Sequence, residues 1–541
     1  MKIVARCILD NIFTALTWAV VFIIVILLLM ILGPILSRGT KAVVFRDTLE
    51  FRKMQLALFN RGNEAKLSAE ISAIIPIRQK IYDTIDKFKS GIDTESLTEQ
   101  VRKIYRNCGQ ELSYKELRPQ QYTETRSLLK EIRDRLQTAF ASTDKTQIAE
   151  CIGFVMGYAN DERFKGTSAW DFFRIAADFQ KAAEKIDLAK HRQYVQAVGE
   201  MEDLLIQLLG PRPGGASPAT AMNQFGATRW DLAEKLMDKL LWKEQWVLQQ
   251  EGESLVKNRT ERAKDCAGTE IEPLFDYIKN NLENMLKPKW QFYWQYFIDD
   301  STPGHYFGGI GPEILGTLLL TLLSMLFVIP LGIISAAYLA ECASDNLAVR
   351  IIRMCINSLA GVPSIIFGLF GLAFFVLFLL PFLGCSPKPC ILTASLTLTI
   401  LTLPVMIRAS EEAIKAVPFT YKEASLALGA SQFKTFISVT LPAAIPGILT
   451  GIILSLSRVA GETAPILFTG AVALGPLPSS IFHTTRTLSY GSYDMAVGDR
   501  LSAMVPHNQY GMVATLVILV LCLNTAAIIF RSKLFKKLHG H

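Results

Sequence analysis

The sequence lacks the residue patterns of common metal, nucleotide and catalytic sites. Its nine cysteines include no Cys-x-x-Cys pair and its six histidines include no His-Glu-x-x-His motif, so we predict no metal site and no catalytic residue. No Gly-Lys dipeptide occurs, although the phosphate-binding loop of P-loop ATPases requires one. We therefore expect no cofactor and no ATPase activity; if ATP drives this protein, a separate chain hydrolyses it.

Charged residues are also sparse in this chain. They form 19% of the 541 residues, whereas hydrophobic residues form 50%, and the formal net charge is +7. This modest excess requires no nucleic-acid partner, because membrane proteins collect Lys and Arg on their cytoplasmic side. The composition predicts several spans in a lipid bilayer together with one sizeable water-exposed part.

Long apolar runs predict six membrane-spanning helices. The first, residues 11–32, is about 30 Å long at the helical rise, which matches the hydrocarbon core of a bilayer. It is longer than the apolar region of a signal peptide and lacks a small-residue cleavage site, so we expect an uncleaved span. The other predicted spans are residues 315–339, 359–383, 391–407, 443–472 and 510–530.

The distribution of positive charge predicts the orientation of these spans. Six spans place both termini on one side of the membrane. Lys and Arg cluster at both termini and in residues 350–353 and 408–434, whereas the alternate loops 384–390 and 473–509 hold few. The positive-inside rule therefore predicts that both termini and residues 408–434 face the cytoplasm.

A large loop, residues 38–306, separates the first two spans and is therefore predicted outside the cytoplasm. Apolar residues at three- and four-residue spacing predict helices over 67–88 and 230–256, and the Gly- and Pro-rich stretch Gly210–Thr220 predicts a break. About 270 residues are enough to bury a separate core. Two interpretations of this loop remain open. It is either a helical insertion that packs on the membrane part or a docking or regulatory domain.

Two features of the predicted outer side each have two interpretations. Trp290 and Trp294 precede the second span and form either an aromatic belt at the membrane interface or ordinary helix core. Cys385 and Cys390 close a short loop with two prolines. In an oxidising compartment they would be able to form a disulfide; the alternative is two free, small apolar residues.

The stretch EASLALGASQFKTFISVTLP, Glu423–Pro442, lies between two apolar runs and is too polar for lipid. Gly429 can end one helix in the left-handed conformation, and Ser431 is a natural N-cap for the next. We therefore predict a helix, a sharp turn and a second helix on the cytoplasmic side. Its small residues favour close approach by another protein over a helix resting on lipid headgroups.

This stretch resembles the signature of the permease subunits of bacterial ABC importers, which is Glu-Ala-Ala, three residues, Gly, nine residues, Ile-x-Leu-Pro. Ser and Val replace the second Ala and the Ile here, and the spacing is intact. In that family the segment is the coupling helix, which inserts into a groove of the ATPase subunit. The resemblance assigns ATPase coupling to Glu423, Ala424, Ser425, Gly429, Leu441 and Pro442.

Three more stretches are similar to the A-type permease (PstA) of phosphate-specific ABC importers. They are LAGVPSIIFGLFGLAFFV (359–376), LPVMIRASEEAIKAVP (403–418) and SRVAGETAPILFTG (457–470). The resemblance covers 310–530 closely, whereas the large loop departs from short-loop members of the family. It implies an all-α membrane protein of the type I ABC importer permease fold, with six transmembrane helices and a large helical extracytoplasmic insertion between the first two.

The same resemblance implies a bacterial inner-membrane location and a set of partners. These are a C-type phosphate permease subunit in a heterodimer, two copies of a cytoplasmic ATPase subunit and a periplasmic phosphate-binding protein. The predicted organisation is residues 1–37 (N-terminus and first span), 38–306 (insertion), 307–530 (permease core, with the coupling helix at 419–442) and 531–541 (basic tail).

Charged residues inside a predicted span are candidates for the substrate path. Arg458 and Glu462 lie four apart on one predicted helix face, where a charge costs roughly 2.5–3.5 kcal/mol even on insertion scales. They either lock helices together or line the path, since a guanidinium suits phosphate oxygens. Thr463 would donate to the anion or satisfy backbone groups freed by Pro465. Arg408 is either a snorkelling anchor or an exit contact.

Other functions predict other features. Sulfate or molybdate would suit the arginines equally, and only the motif resemblance favours phosphate. A membrane sensor would need a cytoplasmic signalling domain, and only eleven residues follow Phe530. A membrane enzyme would need a nucleophile–base pair or a metal cluster, and His483 and His507 belong to no such motif.

Overall fold

The computed structural model describes residues 2–114, 119–185, 190–215, 218, 221–247, 256–344, 346–498 and 506–539. The chain divides into two compact units. The first contains Met1–Phe45 and Phe292–His541, and the second contains Arg46–Gln291. Each unit has its own hydrophobic core and is considered separately.

Helix α1 (Lys2–Gly39) begins the first unit, and strand β1 (Val44–Asp47) follows it. The next helices are α2 (Leu49–Phe59), α3 (Glu64–Ile92), α4 (Thr94–Tyr114), α5 (Pro119–Ala141), α6 (Lys145–Met156), α7 (Trp170–Lys185), α8 (His191–Leu209), α9 (Trp230–Leu241) and α10 (Glu272–Leu286). Strands β2 (Trp242–Val247) and β3 (Val256–Glu261) pair antiparallel, with Trp242 opposite Glu261. Strand β4 (Lys289–Phe292) leads back to the first unit.

The second unit is a helical bundle around a large apolar core. Its amphipathic helices turn their apolar faces inward, and Ile132, Phe172 and Phe179 are fully buried there. A buried ion pair crosses the unit: Arg78 Nη1 lies 3.0 Å from Glu50 Oε1, and Arg78 also donates to the carbonyls of Leu209 and Met285. This segment therefore buries a core of its own, as its length predicts.

Local predictions for the second unit are partly confirmed. Residues 67–88 lie within α3, and α8 ends at Leu209, where Gly210 takes a positive φ of 82°. The helix predicted over 230–256 is wrong beyond Leu241, because the alternating aromatic and polar residues 242–247 form strand β2. Residues 248–255 and part of the predicted break at 210–220 lie outside the described residues.

The first unit continues with the helices of the membrane part. They are α11 (Gly311–Ala337), α12 (Leu347–Leu359), α13 (Ser364–Gly371), α14 (Leu380–Phe382), α15 (Ile391–Lys415), α16 (Phe419–Ala427), α17 (Gln432–Thr435), α18 (Leu441–Gly461), α19 (Ala464–Thr469), α20 (Leu488–Val497) and α21 (Pro506–His539). Wider, π-helical turns at Tyr338–Cys342, Leu372–Leu379 and Phe436–Thr440 continue α11, α13 and α17 without a break.

Within the described residues, six helices are long and apolar enough to cross a membrane, as predicted. We number them spans one to six. They are Asn11–Ala42, Gly311–Cys342, Ser364–Phe382, Ile391–Lys415, Gln432–Gly461 and Pro506–Lys536. The structure therefore has the all-α membrane architecture expected from the sequence.

Two span boundaries differ from the predictions. Span three begins at Ser364 because Pro363 interrupts the helix after α12. Span five occupies Gln432–Gly461 and not 443–472. The chain leaves the helix after Gly461, since Glu462 has extended backbone angles (φ −76°, ψ 132°), and it re-enters a helix only at Ala464.

Spans two, four and five form the core of the first unit, and span four is the most buried of the six. Close packing brings span three to the same core. A Cβ on Gly371 would lie 2.2 Å from Thr397 Oγ1 on span four and 2.9 Å from Thr469 Cγ2 on α19. Only glycine permits this approach, which is a common basis of helix packing in membranes.

Candidate functional site

The predicted coupling segment folds as a helix and a sharp turn after span four. Pro418 separates α15 from α16, and α16 ends in a Schellman motif. The N–H of Ala430 donates to the carbonyl of Ser425 at 3.2 Å, and that of Gly429 donates to Leu426 at 2.9 Å. Gly429 has φ +81°, the left-handed conformation that glycine adopts without a steric penalty. The predicted role of this glycine in the fold is confirmed.

The second helix of the segment is also capped as predicted, but it is not a separate element. The Ser431 side chain accepts the backbone N–H of Lys434 at 3.3 Å. From Gln432 the helix continues through the π-helical turn into span five, so Pro442 lies inside the span and does not begin it. The Ser425 and Thr435 hydroxyls, 3.0 Å apart, connect α16 to this long helix.

The segment presents an apolar surface in the isolated chain, and we call it the coupling surface. Leu428 is 90% exposed and Phe433 is 76% exposed, and no side chain of α16 is buried. The surface consists of Phe419, Tyr421, Leu426, Leu428 and Phe433. Several large apolar side chains exposed along one short segment are typical of a protein-binding site.

The residues predicted for coupling do not all reach this surface. Glu423, Ala424 and Gly429 are exposed beside it, and Ser425 is half-buried. Leu441 and Pro442 are half-buried in the first turn of α18. Sequence analysis missed Lys422, whose ammonium lies 2.5 Å from Glu341 Oε1 at the end of span two; an isolated charge before the motif gives no signal of its own.

The charged pair at the end of span five has a different geometry from the prediction. Arg458 is in the last turn of α18, whereas Glu462 follows the end of the helix, so the two do not share one helix face. Their side chains nevertheless meet, with Arg458 Nε 3.6 Å from Glu462 Oε1. This distance is an ion pair without a hydrogen bond. The guanidinium is therefore only loosely held by the carboxylate.

Thr463 and Arg408 occupy separate positions. Thr463 lies in the break between α18 and α19, where the Ser489 hydroxyl donates to the carbonyl of Glu462 at 3.2 Å. Arg408 is exposed on span four, and among the described residues it has no hydrogen-bond or ion-pair partner. The structure therefore connects Glu462 to Arg458 and does not join Arg408 to them by a polar contact.

Span four carries buried hydroxyl groups that sequence analysis missed. The hydroxyls of Thr397, Thr399 and Thr402 donate to carbonyls four residues earlier, each at 2.7 Å. Those of Ser395 and Ser410 are buried without a hydrogen-bond partner in the part of the chain that the structure describes. Alternating apolar and hydroxyl residues inside an apolar run were the available signal.

A buried charge cluster lies at the start of span two. Arg486 donates to Asp300 Oδ1 at 2.6 Å and to the Ser301 hydroxyl at 3.1 Å, and its Nη1 lies 3.5 Å from Glu313 Oε1. Both Arg486 and Glu313 are buried. Glu313 is in the first turn of its helix, where the helix dipole favours an acid. The cluster ties the 299–301 loop to the segment that precedes α20.

The structure decides between the alternatives predicted for the two cysteines and rules out one of those predicted for the two tryptophans. Cys385 and Cys390 are free. Cys390 is buried at the start of α15 with its sulfur 3.4 Å from the Thr393 hydroxyl, while Cys385 lies in the preceding turn, so the possible disulfide is absent. Trp290 and Trp294 are both exposed, in a strand and a short 3₁₀ turn. The helix-core interpretation of these tryptophans is therefore wrong.

Comparison with known proteins places the membrane part in a recognised family. Residues 305–540 match the family model described as "Binding-protein-dependent transport system inner membrane component". The chain is similar to the "Probable ABC transporter permease protein YqgI" of Bacillus subtilis, with 37% identity over 43% of this chain and 80% of the relative. It is 32% identical to the "Phosphate transport system permease protein PstA 1" of Mycobacterium tuberculosis H37Rv, over 44% of this chain and 75% of the relative.

A third relative is the "Phosphate transport system permease protein PstA" of Xylella fastidiosa, which is 30% identical over 42% of this chain and 77% of the relative. Among solved structures, an inward-facing conformation of the MetNI methionine ABC transporter aligns with 21% identity and a TM-score of 0.33. That alignment covers 42% of this chain and 95% of the other.

Proposed function

The chain belongs to the family of binding-protein-dependent transport system inner membrane components, and from this membership we propose that it carries inorganic phosphate into the cytoplasm. As a member it is a multi-pass inner-membrane permease subunit of an ABC importer, with the type I permease fold. Relatives named PstA support phosphate as the substrate. The structural observation that carries the proposal is the Arg458–Glu462 pair at the break that follows the fifth span.

The chemistry of this pair suits a transported anion. Phosphate is a monoanion or dianion near neutral pH, and a guanidinium offers it charge and two parallel donors. Glu462 would neutralise Arg458 between substrates, because an unpaired charge at bilayer depth is unfavourable. A 3.6 Å contact without a hydrogen bond leaves the guanidinium donors available to the anion. Glu462 would also limit how tightly the anion is held, which permits release.

The irregular backbone at the break supports the same role. Irregular backbone at membrane depth is tolerated where it is buried in protein or lines a polar cavity. Glu462 and Thr463 form that irregular stretch between α18 and α19. We place the Thr463 hydroxyl beside the anion as a donor, and we assign Arg408 on span four to the exit side.

ATP-driven coupling is assigned to the coupling surface and the residues beside it. We propose that Glu423, Ala424, Ser425 and Gly429 dock into a separate ATPase subunit, which hydrolyses ATP. The exposure of Leu428 and Phe433 supports a protein partner at this surface. Leu441 and Pro442 then pass the movement into span five, because the helix is continuous from Gln432 to Gly461.

The remaining assembly follows from the same family. We propose a heterodimer with a C-type phosphate permease, two ATPase copies and a periplasmic phosphate-binding protein. The distribution of Lys and Arg supports an orientation with both termini and the coupling surface in the cytoplasm and the second unit outside it. Alternating access would then open the path to the binding protein and to the cytoplasm in turn.

Uptake measurements test the proposal directly. In phosphate-starved cells without another phosphate importer, the gene is deleted and then restored, and uptake of labelled phosphate, sulfate and molybdate is measured. We expect only phosphate uptake to be lost and regained. Retained phosphate uptake with loss of sulfate or molybdate uptake would reassign the substrate to another oxyanion.

A further inference from the structure

Helix α16, which carries the coupling surface, has few attachments to the rest of the first unit. No side chain of α16 is buried, so an apolar interface does not hold the helix against the spans. Its chain continues to span five through the Gly429 turn, where Ser425 contacts Thr435. In the described part of the chain, one other side chain of α16 makes a polar contact, and that is Lys422.

The Lys422 contact reaches a different span. Its ammonium donates to Glu341 Oε1 at 2.5 Å, and the two side chains are 15% and 24% exposed. Glu341 lies in the π-helical turn Tyr338–Cys342 that ends span two. The wider turn is closed by the N–H of Ala343, which donates to the carbonyl of Tyr338 at 2.8 Å. Such turns are frequent at functional sites of helices.

The end of span two is in turn fixed to span four. Leu339 is buried in a small apolar cluster with Val349 of α12 and Ile407 of span four. The Arg353 guanidinium donates to the Leu339 carbonyl at 2.8 Å and lies 3.2 Å from Glu411 Oε1 on span four. These contacts connect the end of span two to span four, by packing of Leu339 and through Arg353 of α12.

From these contacts we infer that Lys422 and Glu341 are positioning residues that make span two move with the coupling helix. The inference rests on the proposed function, since it assumes that the coupling surface docks on an ATPase. Without the ion pair, movement of α16 would reach the spans through the Gly429 turn and span five alone. With it, the same movement acts on spans two, four and five, which together form the core of the first unit.

An ordinary surface ion pair is the competing explanation, because most exposed pairs contribute little. This pair differs in two respects. The Lys422 and Glu341 side chains are only 15% and 24% exposed, and the pair joins elements 81 residues apart, one of which has no buried side chain. If Lys422 and Glu341 form an ordinary surface ion pair, charge reversal should not change transport. If they are positioning residues, charge reversal should lower it.

Charge reversal and charge exchange test the inference. The complete complex is reconstituted in lipid vesicles with Lys422→Glu, Glu341→Lys or both changes, and phosphate transport and ATP hydrolysis are measured together. Each single change is expected to lower phosphate transported per ATP hydrolysed by about fivefold or more, as for an ordinary allosteric coupling. The exchanged double variant should recover most of this ratio, and Lys422→Arg should retain it.

The controls separate coupling from folding and from the proposed function. Lys533→Glu reverses an exposed charge on α21 and should leave the ratio unchanged. If a reversed variant fails to assemble, Lys422→Gln and Glu341→Gln remove the charge without repulsion. Unchanged ratios in assembled single variants, or no recovery in the double variant, would overturn the inference. Absence of phosphate transport by the unmodified complex would instead reject the proposed function.

Discussion

Two phenylalanines, one in each unit of the chain, have opposite surroundings. In the second unit Phe179 is 0% exposed and meets Phe140 edge to face, with ring centroids 4.8 Å apart. In the first unit Phe378 is 59% exposed and stacks on Phe374 and Phe382, at 5.6 and 6.3 Å. Water would penalise this exposed ladder, whereas lipid tails would not.

The two units also differ in where they place polar groups. The second unit carries ion pairs at its surface, such as Arg212 with Asp86, and it buries Glu50 against Arg78 and Lys53. The first unit buries the hydroxyls of span four, most of them bonded to backbone carbonyls of their own helix. The second unit is thus stabilised as a water-soluble bundle and the first as a membrane protein, and each prediction below probes one side of this difference.

The largest effect is expected at the coupling surface of the first unit. Gly429→Asp places a charge and a side chain at a φ of +81°, which blocks docking while the spans remain inserted. We predict that phosphate uptake is abolished at normal membrane levels of the chain. Gly429→Asn, which has the same shape without the charge and tolerates this conformation better, should lose less uptake. Normal capture of the ATPase by the Asp variant would contradict this explanation.

In the second unit, the buried ion pair should dominate stability. Arg78→Ala leaves Glu50 in the core with only Lys53 as a charged partner and removes the donors to the carbonyls of Leu209 and Met285. We expect the free energy of unfolding of the second unit to fall by about 3–5 kcal/mol. Amide hydrogen exchange in α3 measures this change. Arg102→Ala, at an exposed position of α4, is the control and should change the free energy of unfolding by less than about 0.5 kcal/mol.

A matched pair of phenylalanines tests the comparison itself. Phe179→Ala should destabilise the second unit by about 3–4 kcal/mol, because it leaves a cavity beside Phe140. Phe378→Ala, on an exposed surface of span three, should lower the free energy of unfolding by less than about 0.5 kcal/mol in detergent. Hydrogen exchange of α7 and of span three reports the two effects separately. Equal losses at both sites would show that Phe378 packs against protein.

The smallest of these effects depends on pH. Burial is the main influence on Asp47 and raises its pKa from 3.8 to about 6, although Arg52 opposes the shift. The folded form therefore binds this proton more tightly than the unfolded chain, so stability from Asp47 is present below about pH 4 and is lost as the pH rises through about 6. We expect the free energy of unfolding contributed by Asp47 to fall by about 2–3 kcal/mol over this pH range.

Asp47→Asn should remove that part of the pH dependence. The measurement is the difference in unfolding free energy between the two proteins at pH 4.5 and pH 7, which cancels the other titrating groups. An identical pH dependence in both proteins would contradict the raised pKa.

Much of the fold is accessible from the sequence because apolar length and charge are strong signals. The six spans, the Gly429 turn and the Ser431 cap each follow from local residue properties. Contacts between residues far apart in the chain have no comparable local signal. The end of span five at Gly461 is hidden inside an apolar run, and strand β2 depends on pairing with β3, which lies outside its own sequence.

The candidate site shows the same limit. Arg458 and Glu462 are visible as charges in an apolar run, but their separation by a helix end is not. Lys422 and Glu341 are 81 residues apart, and neither has a sequence signal that points to the other. Arg486 lies in a loop that sequence analysis treats as poor in charge, and its burial depends on Asp300 and Glu313.

The most direct test of the central claim is phosphate uptake by the Arg458→Ala variant in an assembled complex. Uptake should fall by about tenfold or more if the guanidinium contacts the anion, since charged hydrogen bonds contribute about 1.5–3 kcal/mol. Arg458→Lys should recover part of it, because the charge remains without the bidentate geometry. Unchanged phosphate uptake by Arg458→Ala, with normal assembly, would contradict the account and leave Arg458 outside the anion path.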